Sequence, residues 1–398
     1  MNLSKTTCVL YILASLLAMK QAYAANCSSI NEYPNWTAKN WSGQYDHANA
    51  GDLMQYENKL YRANWWTKAV PGSHQSWRYE GICTNPTTPI QGAFDTHGKL
   101  SVCGKHLCNK NNHPIQLRGM SSHGLQWYGL NKCLTPQSLD TLAYEWRADI
   151  VRLSLYVQEG GFETDKTGFI NQVNELIAMA SDRGMYVLVD WHQLSPGDPN
   201  ANTALAKEFF SRVVQQNKHR DNILYDIANE PNNVSWDAVH NYAEQVIPII
   251  RNIKSDAVVL VGTHGWATFG ISDGGSVQEV IQKPLSFNNI MYTFHFYAAS
   301  HFDAYLEALD TASDVLPVFV TEWGTQLYTG DGDNDFERAQ AYINLMKRKK
   351  ISWINWNYSD DPRSGAVWKQ STCSAGSFSD SQLKEAGIWI KQQILLER

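Results

Sequence analysis

The chain reads as an α/β protein: a (β/α)8 barrel with a small cysteine-bracketed module in front of it. Three observations lead there. Eight short, nearly continuous apolar runs recur after residue 90, helical apolar patterns lie between them, and the stretch from 25 to 83 is tryptophan-rich and bounded by Cys27 and Cys83. Continuous apolar strands suit a parallel sheet covered on both faces. Eight of them alternating with helices over roughly 300 residues have the size and order of a closed barrel. A doubly wound open sheet is the alternative fold, but no glycine-rich phosphate loop follows any early strand.

In chain order, residues 1–24 read as an export leader and not as part of the fold. Lys5 gives a positive start, Val9 to Met19 form an apolar stretch, and Ala22, Tyr23 and Ala24 supply a small-residue cleavage site. That stretch is too short for a bilayer, and no later segment offers some ~18 uncharged apolar residues. The mature protein is therefore expected to be secreted, soluble, monomeric and without a membrane partner. Removing Lys5 and Lys20 from the 33 basic residues leaves 31 against 39 acidic ones, a net charge of −8. A mildly acidic chain without a basic patch excludes nucleic acid as a partner. Losing Cys8 of the 7 cysteines leaves an even set: Cys27, Cys83, Cys103, Cys108, Cys133 and Cys373. In an oxidising compartment an even set favours disulfides, with pairing open. Only Cys103 and Cys108 are spaced at all like zinc ligands, and they lack a partner pair, so no metal is expected through thiolates.

Residues 25–83 form the front module and 84–94, with "TNPTTP" at 84–89, a stiff polar connector to the domain at 95–398. Five of the 15 tryptophans fall in the module: Trp36, Trp41, Trp65, Trp66 and Trp77. A core this thin benefits from a staple between its bracketing cysteines. Trp36 and Trp77 suit that core. Trp65 and Trp66 do not both suit it, because neighbours in an extended strand face opposite sides. At least one is expected in solvent, where a flat aromatic face suits stacking on a sugar ring.

The expected barrel strands lie at 114–123, 149–156, 185–192, 223–231, 258–262, 290–297, 317–324 and 351–358. Between them Leu139, Leu142 and Trp146, then Ile170, Val173, Ile177 and Ala180, repeat at helical spacing. Thr135-Pro136 reads as a cap followed by a first-turn proline, and Gly184 as a helix stop. Catalytic side chains of such barrels project from the C-terminal strand ends. Those ends here carry His123, Arg152 with Tyr156, His192, Asn229 with Glu230, His295 with Tyr297, Glu322, and Trp356. A single histidine there is usually a structural hydrogen-bonder, Arg152 suits an ion pair within the fold, and Trp356 suits a core. Packing does not explain all of them at one mouth. Glu230 and Glu322, ending the fourth and seventh strands, face each other across the barrel. Paired carboxylates across a cleft suit glycoside hydrolysis, one protonating the leaving oxygen and the other attacking or activating water. A second negative carboxylate nearby is expected to raise the pKa of the acid.

"YPNWTAKNWSG", "AGDLMQYENKLYRANWWT" and "PGSHQSWRYEGIC" closely resemble the small family-five carbohydrate-binding modules that bind cellulose or chitin. The resemblance implies a mainly β, disulfide-closed module with Cys27 paired to Cys83 and a flat binding strip of Trp41, Trp65 and Trp66. From about residue 95 onward, "RGMSSHGLQWYG", "VRLSLY", "VDWH", "DIANEP", "HFYA", "VTEWG" and "WNYSDD" resemble glycoside hydrolase family five, particularly its bacterial endoglucanases. That resemblance implies a retaining double displacement without cofactor, with Glu230 as general acid/base and Glu322 as nucleophile. It implies that Asn229 meets the sugar 2-hydroxyl, that Arg152 and Tyr297 hold Glu322 charged, and that His192 and His295 line the same subsite. Trp356 would floor that subsite, with His123, Trp127 and Tyr156 toward the non-reducing side and Trp266 on the leaving-group side. One departure stands out: many relatives read "WNLSDK" followed by a glutamate, whereas "WNYSDDPRSG" places Asp361 and Arg363 there, with the charges swapped. Cys133 with Cys373 and Cys103 with Cys108 remain open pairings.

The function expected is a secreted endo-β-1,4-glucanase with cellulose or a related β-1,4-glucan as its partner. A mannanase or another β-1,4-glycanase on the same scaffold is the nearest alternative, since a fold does not fix a substrate. A non-catalytic glycan-binding protein is disfavoured by the intact glutamates. A metallohydrolase using His123, His192 and His295 is disfavoured by the lack of strand-end aspartates to accompany them.

Overall fold

The computed structural model describes residues 24–25, 27–57, 59–83 and 91–396. The expected leader, all but its last residue, and "TNPTTP" lie outside these. The chain divides into two compact units, one ending at Ile90 and the other starting at Gln91.

In the first unit, Leu53–Tyr56, Lys59–Ala63 and Trp77–Cys83 form an antiparallel meander, and Ala24–Ala25 adds in parallel to its last strand. Trp77 is buried with Ala48, Met54 and Ala63, its indole N–H donating to the Ala69 carbonyl at 2.8 Å, and Trp36 packs half-buried beside them. The Cys27–Cys83 disulfide closes a second small cluster with Leu60. Trp41, Trp65 and Trp66 are all exposed. Both neighbouring indoles face solvent, where strand alternation requires only one to, because residues 64–66 form a bend after the strand.

The second unit is a closed, all-parallel barrel. Its strands are β1 (Arg118–Ser121), β2 (Ile150–Tyr156), β3 (Tyr186–His192), β4 (Ile223–Asp226), β5 (Val258–Gly262), β6 (Ile290–Tyr297), β7 (Val318–Gly324) and β8 (Trp353–Trp356). β8 pairs with β1 to close the ring. Every strand residue is buried, which is why the sequence shows continuous apolar runs and no alternation. Odd and even positions nevertheless differ. Ile150, Tyr186, Leu188, Leu224, Met291 and Phe319 fill the barrel interior, whereas Val151, Val187, Val189, Tyr225, Tyr292 and Val320 pack against the helical layer.

The helices are laid down by local chemistry. Thr135 caps Pro136–Asp140 by accepting from the Ser138 N–H, Asp165 caps Lys166–Ser181, and Gly184 leaves the latter in a left-handed conformation (φ 69°). At the N-terminal end of the barrel, the hairpin Ser101–Cys103 with His106–Cys108, closed by a Cys103–Cys108 disulfide, puts Leu107 and Leu100 under the interior. A third disulfide joins Cys133 to Cys373. Among the described residues, no helix is long and apolar enough to cross a membrane.

The Cys27–Cys83 bridge spans 56 positions of a small unit, and such a bridge contributes about 2–4 kcal/mol. The double variant Cys27→Ser/Cys83→Ser is expected to lower the melting transition of the front unit in calorimetry and leave the barrel transition in place.

Candidate active site

The inward face of each strand changes character at one height. On β2 it runs from Ile150 to Arg152 and Tyr156, and on β3 from Tyr186 and Leu188 to Asp190 and His192. Arg152 is wholly buried. Its Nη1 donates to Glu322 Oε2 at 2.9 Å, and its Nη2 donates to Asn229 Oδ1 at 2.5 Å and forms an ion pair with Asp190 Oδ2 at 3.0 Å. Burial pulls the pKa of the guanidinium down, but Asp190, Glu322 and Asp226 together lift it above its ordinary value. The Tyr297 hydroxyl donates to the other Glu322 oxygen at 2.6 Å. Glu322 is thus held at both oxygens.

Glu322 faces the cleft because β7 is irregular. Phe319 points into the interior and Val320 to the helices, so strict alternation would send Glu322 outward. The register against β6 shifts between Thr293 and His295, pairing His295 with Glu322, and the extra residue turns the carboxylate inward. Trp323 is turned the other way, into the helical layer beside Phe296.

Glu230 lies four residues past the end of β4, on a segment pinned by Ile227 N–H to the Leu260 carbonyl (3.0 Å) and Asn229 N–H to the Trp191 carbonyl (3.2 Å). Its Oε1 is 2.8 Å from His295 Nδ1, and His295 Nε2 is 2.8 Å from the Thr321 hydroxyl. Burial pushes the Glu230 carboxyl up to about 7, with His192 and Arg152 opposing and Asp190 adding. The cause therefore differs from the sequence expectation: desolvation dominates, and the carboxylate that adds to it is Asp190. Burial also drives His295 down to about 3, so its ring is neutral. Asp190 Oδ2 accepts from His192 Nδ1 at 2.8 Å, and His192 Nε2 lies 3.4 Å from the Asn229 amide nitrogen. One ligand atom each of Glu230, His295 and Glu322 lie within 4.8 Å of one another.

These groups open into a cleft of about 910 Å³ lined by His123, Trp127, Tyr156, His192, Trp266 and Trp356 among others. Tyr156 stacks on His192 (4.2 Å between ring centroids), which stacks in turn on Trp356 (5.3 Å). Trp127 and Trp266 stand at the rim, 40% and 39% exposed. The swapped pair also resolves. Asp361 is buried, accepts from the Tyr128 hydroxyl at 3.0 Å and pairs with Arg363 Nε at 2.8 Å, and Arg363 Nη2 donates to His123 Nε2 at 2.9 Å. A guanidinium on a carboxylate base therefore faces the cleft at that end.

His123, His192 and His295 do not share a metal-binding centre. Their ring nitrogens are taken by Arg363, Asp190, Glu230 and Thr321. Sequence reading passed over Asp190, Tyr128, Phe302 and Tyr328. Asp190 had a signal: in "VDWH" it sits two positions before His192, on the same face of the strand. Tyr128 ends a single helical turn, and Phe302 and Tyr328 lie on loops, so none of them has a periodicity to read.

Two carboxylates meeting in an aromatic-walled cleft at the C-terminal mouth of a (β/α)8 barrel define a class, the glycoside hydrolases. The chain belongs to glycosyl hydrolase family 5: the family model for cellulase (glycosyl hydrolase family 5) matches residues 108–362, and a cellulose-binding domain model matches residues 24–84. Endoglucanase MaCel5A of Microbulbifer sp. (strain ALW1) is 52% identical over 375 residues, covering 86% of this chain and 73% of that one. Endoglucanase E-5 of Thermobifida fusca is 53% identical over 308 residues, and the match spans 77% of this chain but 65% of that relative's length. The crystal structure of the catalytic domain of Thermobifida fusca endoglucanase Cel5A (E5) superposes with a TM-score of 0.75 at 53% identity, covering 76% of this chain and 99% of that chain. A glutamate-to-glutamine variant of the same domain has been solved in complex with cellotetraose.

A carboxyl raised to about 7 in the fold binds its proton more tightly there than in the unfolded chain. Its contribution to stability is full below the unfolded value near 4.5 and is lost as pH rises through about 7. Glu230→Gln removes this dependence. Between pH 4 and 8 the wild type is expected to lose about 3 kcal/mol relative to the variant, read from denaturant unfolding at each pH.

Proposed function

We propose that the protein is a secreted, monomeric endo-β-1,4-glucanase that cleaves internal bonds of cellulose or a related β-1,4-glucan with retention of configuration. The observation that carries this reading is the unequal treatment of two neighbouring carboxyls. Glu322 is ion-paired with Arg152 and hydrogen-bonded by Tyr297, whereas Glu230 is buried enough to keep a proton up to about pH 7. One oxygen of each carboxyl lies within 4.8 Å of the other, which supports a retaining pair, whose carboxyl groups stand about 5–5.5 Å apart, over an inverting pair at about 6.5–9.5 Å. The relatives' names, the cellotetraose bound in one of them and the cellulose-binding model support β-1,4-glucan as substrate.

In this mechanism a glucan chain lies along the cleft with one sugar over Trp356. Glu230 gives its proton to the bridging oxygen as Glu322 attacks the anomeric carbon, breaking the sugar–oxygen bond and forming a glycosyl–enzyme ester. Glu230, now a carboxylate, takes a proton from water, and that water displaces Glu322. Arg152 and Tyr297 fix the attacking carboxylate, one at each oxygen, and Asn229, itself oriented by Arg152 and His192, is placed for the 2-hydroxyl. His295 orients Glu230. The exposed Trp41, Trp65 and Trp66 hold the enzyme on solid polymer and raise its local concentration there.

Glu322→Gln is expected to lower turnover of soluble glucan by at least about a thousandfold while the protein still sediments with crystalline cellulose. Undiminished turnover would refute the nucleophile assignment. NMR of the first product from cellohexaose should show the β-anomer, and an initial α-anomer would refute retention. The alkaline limb of kcat/KM is expected near pH 7, falling as Glu230 loses its proton. A limb that Glu230→Asp leaves unmoved would assign it to another group.

A further inference from the structure

Beyond the glutamate pair the cleft continues along the loops after β5 and β6, where Trp266, Ser272, His301, Phe302 and Tyr305 line it. Phe302 is out of place by local rules. It occupies the N-cap of the helix Asp303–Val315 and makes no side-chain cap, although that position favours residues whose side chains accept a backbone N–H. It is also 53% exposed, so neither capping nor burial accounts for it. One face of its ring is covered, with the Arg338 guanidinium 4.8 Å from the centroid and itself paired with Asp303 at 2.8 Å. The ring is thereby held in place while its uncovered part meets the cleft.

The side of the cleft can be assigned from topology. A general acid stands beside the oxygen that leaves, and Glu230 enters from the loop after β4. The neighbouring loops after β5 and β6 therefore flank the departing half of the chain, whereas His123, Trp127 and Arg363 follow β1 and β8 on the other side. Trp266 is tied to the same region, its backbone N–H donating to the Pro231 carbonyl at 2.9 Å. Between Trp266 and Phe302 the wall is firm: His301 stacks on Tyr305 at 4.2 Å, and the Tyr305 hydroxyl lies 3.3 Å from that of Ser272.

We infer that Phe302 extends the leaving-group side beyond Trp266, as a stacking plate for a second or later glucosyl unit of a β-1,4-glucan. This rests on the glucanase reading above. The site favours bonds with several sugars on the departing side, the requirement for internal cleavage.

The test compares Phe302→Ala with the wild type on cellohexaose and on an aryl β-cellobioside, whose leaving group carries no sugar. The ratio of kcat/KM for the two substrates is expected to fall about tenfold, the size of one lost aromatic contact, and Phe302→Trp is expected to restore it. An unchanged ratio, or an equal fall on both substrates, overturns the inference. A wild type inert on both substrates overturns the glucanase reading instead.

Discussion

The mouth of the barrel is organised around one wholly buried cation. Arg152 has no water to solvate it, so its charge must be met by protein groups: Asp190 from β3, Glu322 from β7 and the Asn229 carbonyl oxygen from the segment after β4. Removing one partner from such a set leaves an uncompensated charge and costs about 3–5 kcal/mol. That requirement fixes the relative positions of elements far apart in sequence. It also explains the contrast between the two glutamates, because Glu322 and Asp190 use the guanidinium and Glu230 is left with a neutral imidazole.

Below Arg152 the same inward face is apolar. Leu188 pairs in register with Leu224, and two residues on Asp190 pairs with Asp226. Asp226 is fully buried, and burial together with Asp190 raises its carboxyl well above the ordinary range. Arg152 opposes that shift, and Asp226 in turn favours the charged guanidinium, so the two groups are linked through the interior. The change from leucine to aspartate at one layer marks where the barrel stops being scaffold and becomes site.

Much of this was legible in the sequence because both signals were strong. Strands buried on both faces leave uninterrupted apolar runs, and a polar residue ending such a run has few structural reasons to be there. His192, Glu230, His295 and Glu322 were found that way. What was hidden depends on three dimensions. The register shift that turns Glu322 inward has no residue signature, and the height of the Glu230 pKa comes from surrounding groups that desolvate it. The bend that exposes Trp65 and Trp66 together looks like strand in a one-dimensional pattern. Asp361 and Arg363 announced a change of charge order but not the Tyr128 and His123 contacts that seat them. Phe302 resembled any loop aromatic until its neighbour Arg338 and its missing cap were visible.

The Cys133–Cys373 bond has a mechanical consequence. It links the region following β1 to the region following β8, and those two strands meet at the join of the ring. Its ends are 240 positions apart, and in the chain-entropy model a bond enclosing so long a loop disfavours the unfolded chain by about 5 kcal/mol. An unfastened hoop unrolls from its join, shedding first one edge strand and then the next. This one is riveted near its join, and a reducing solution removes the rivet.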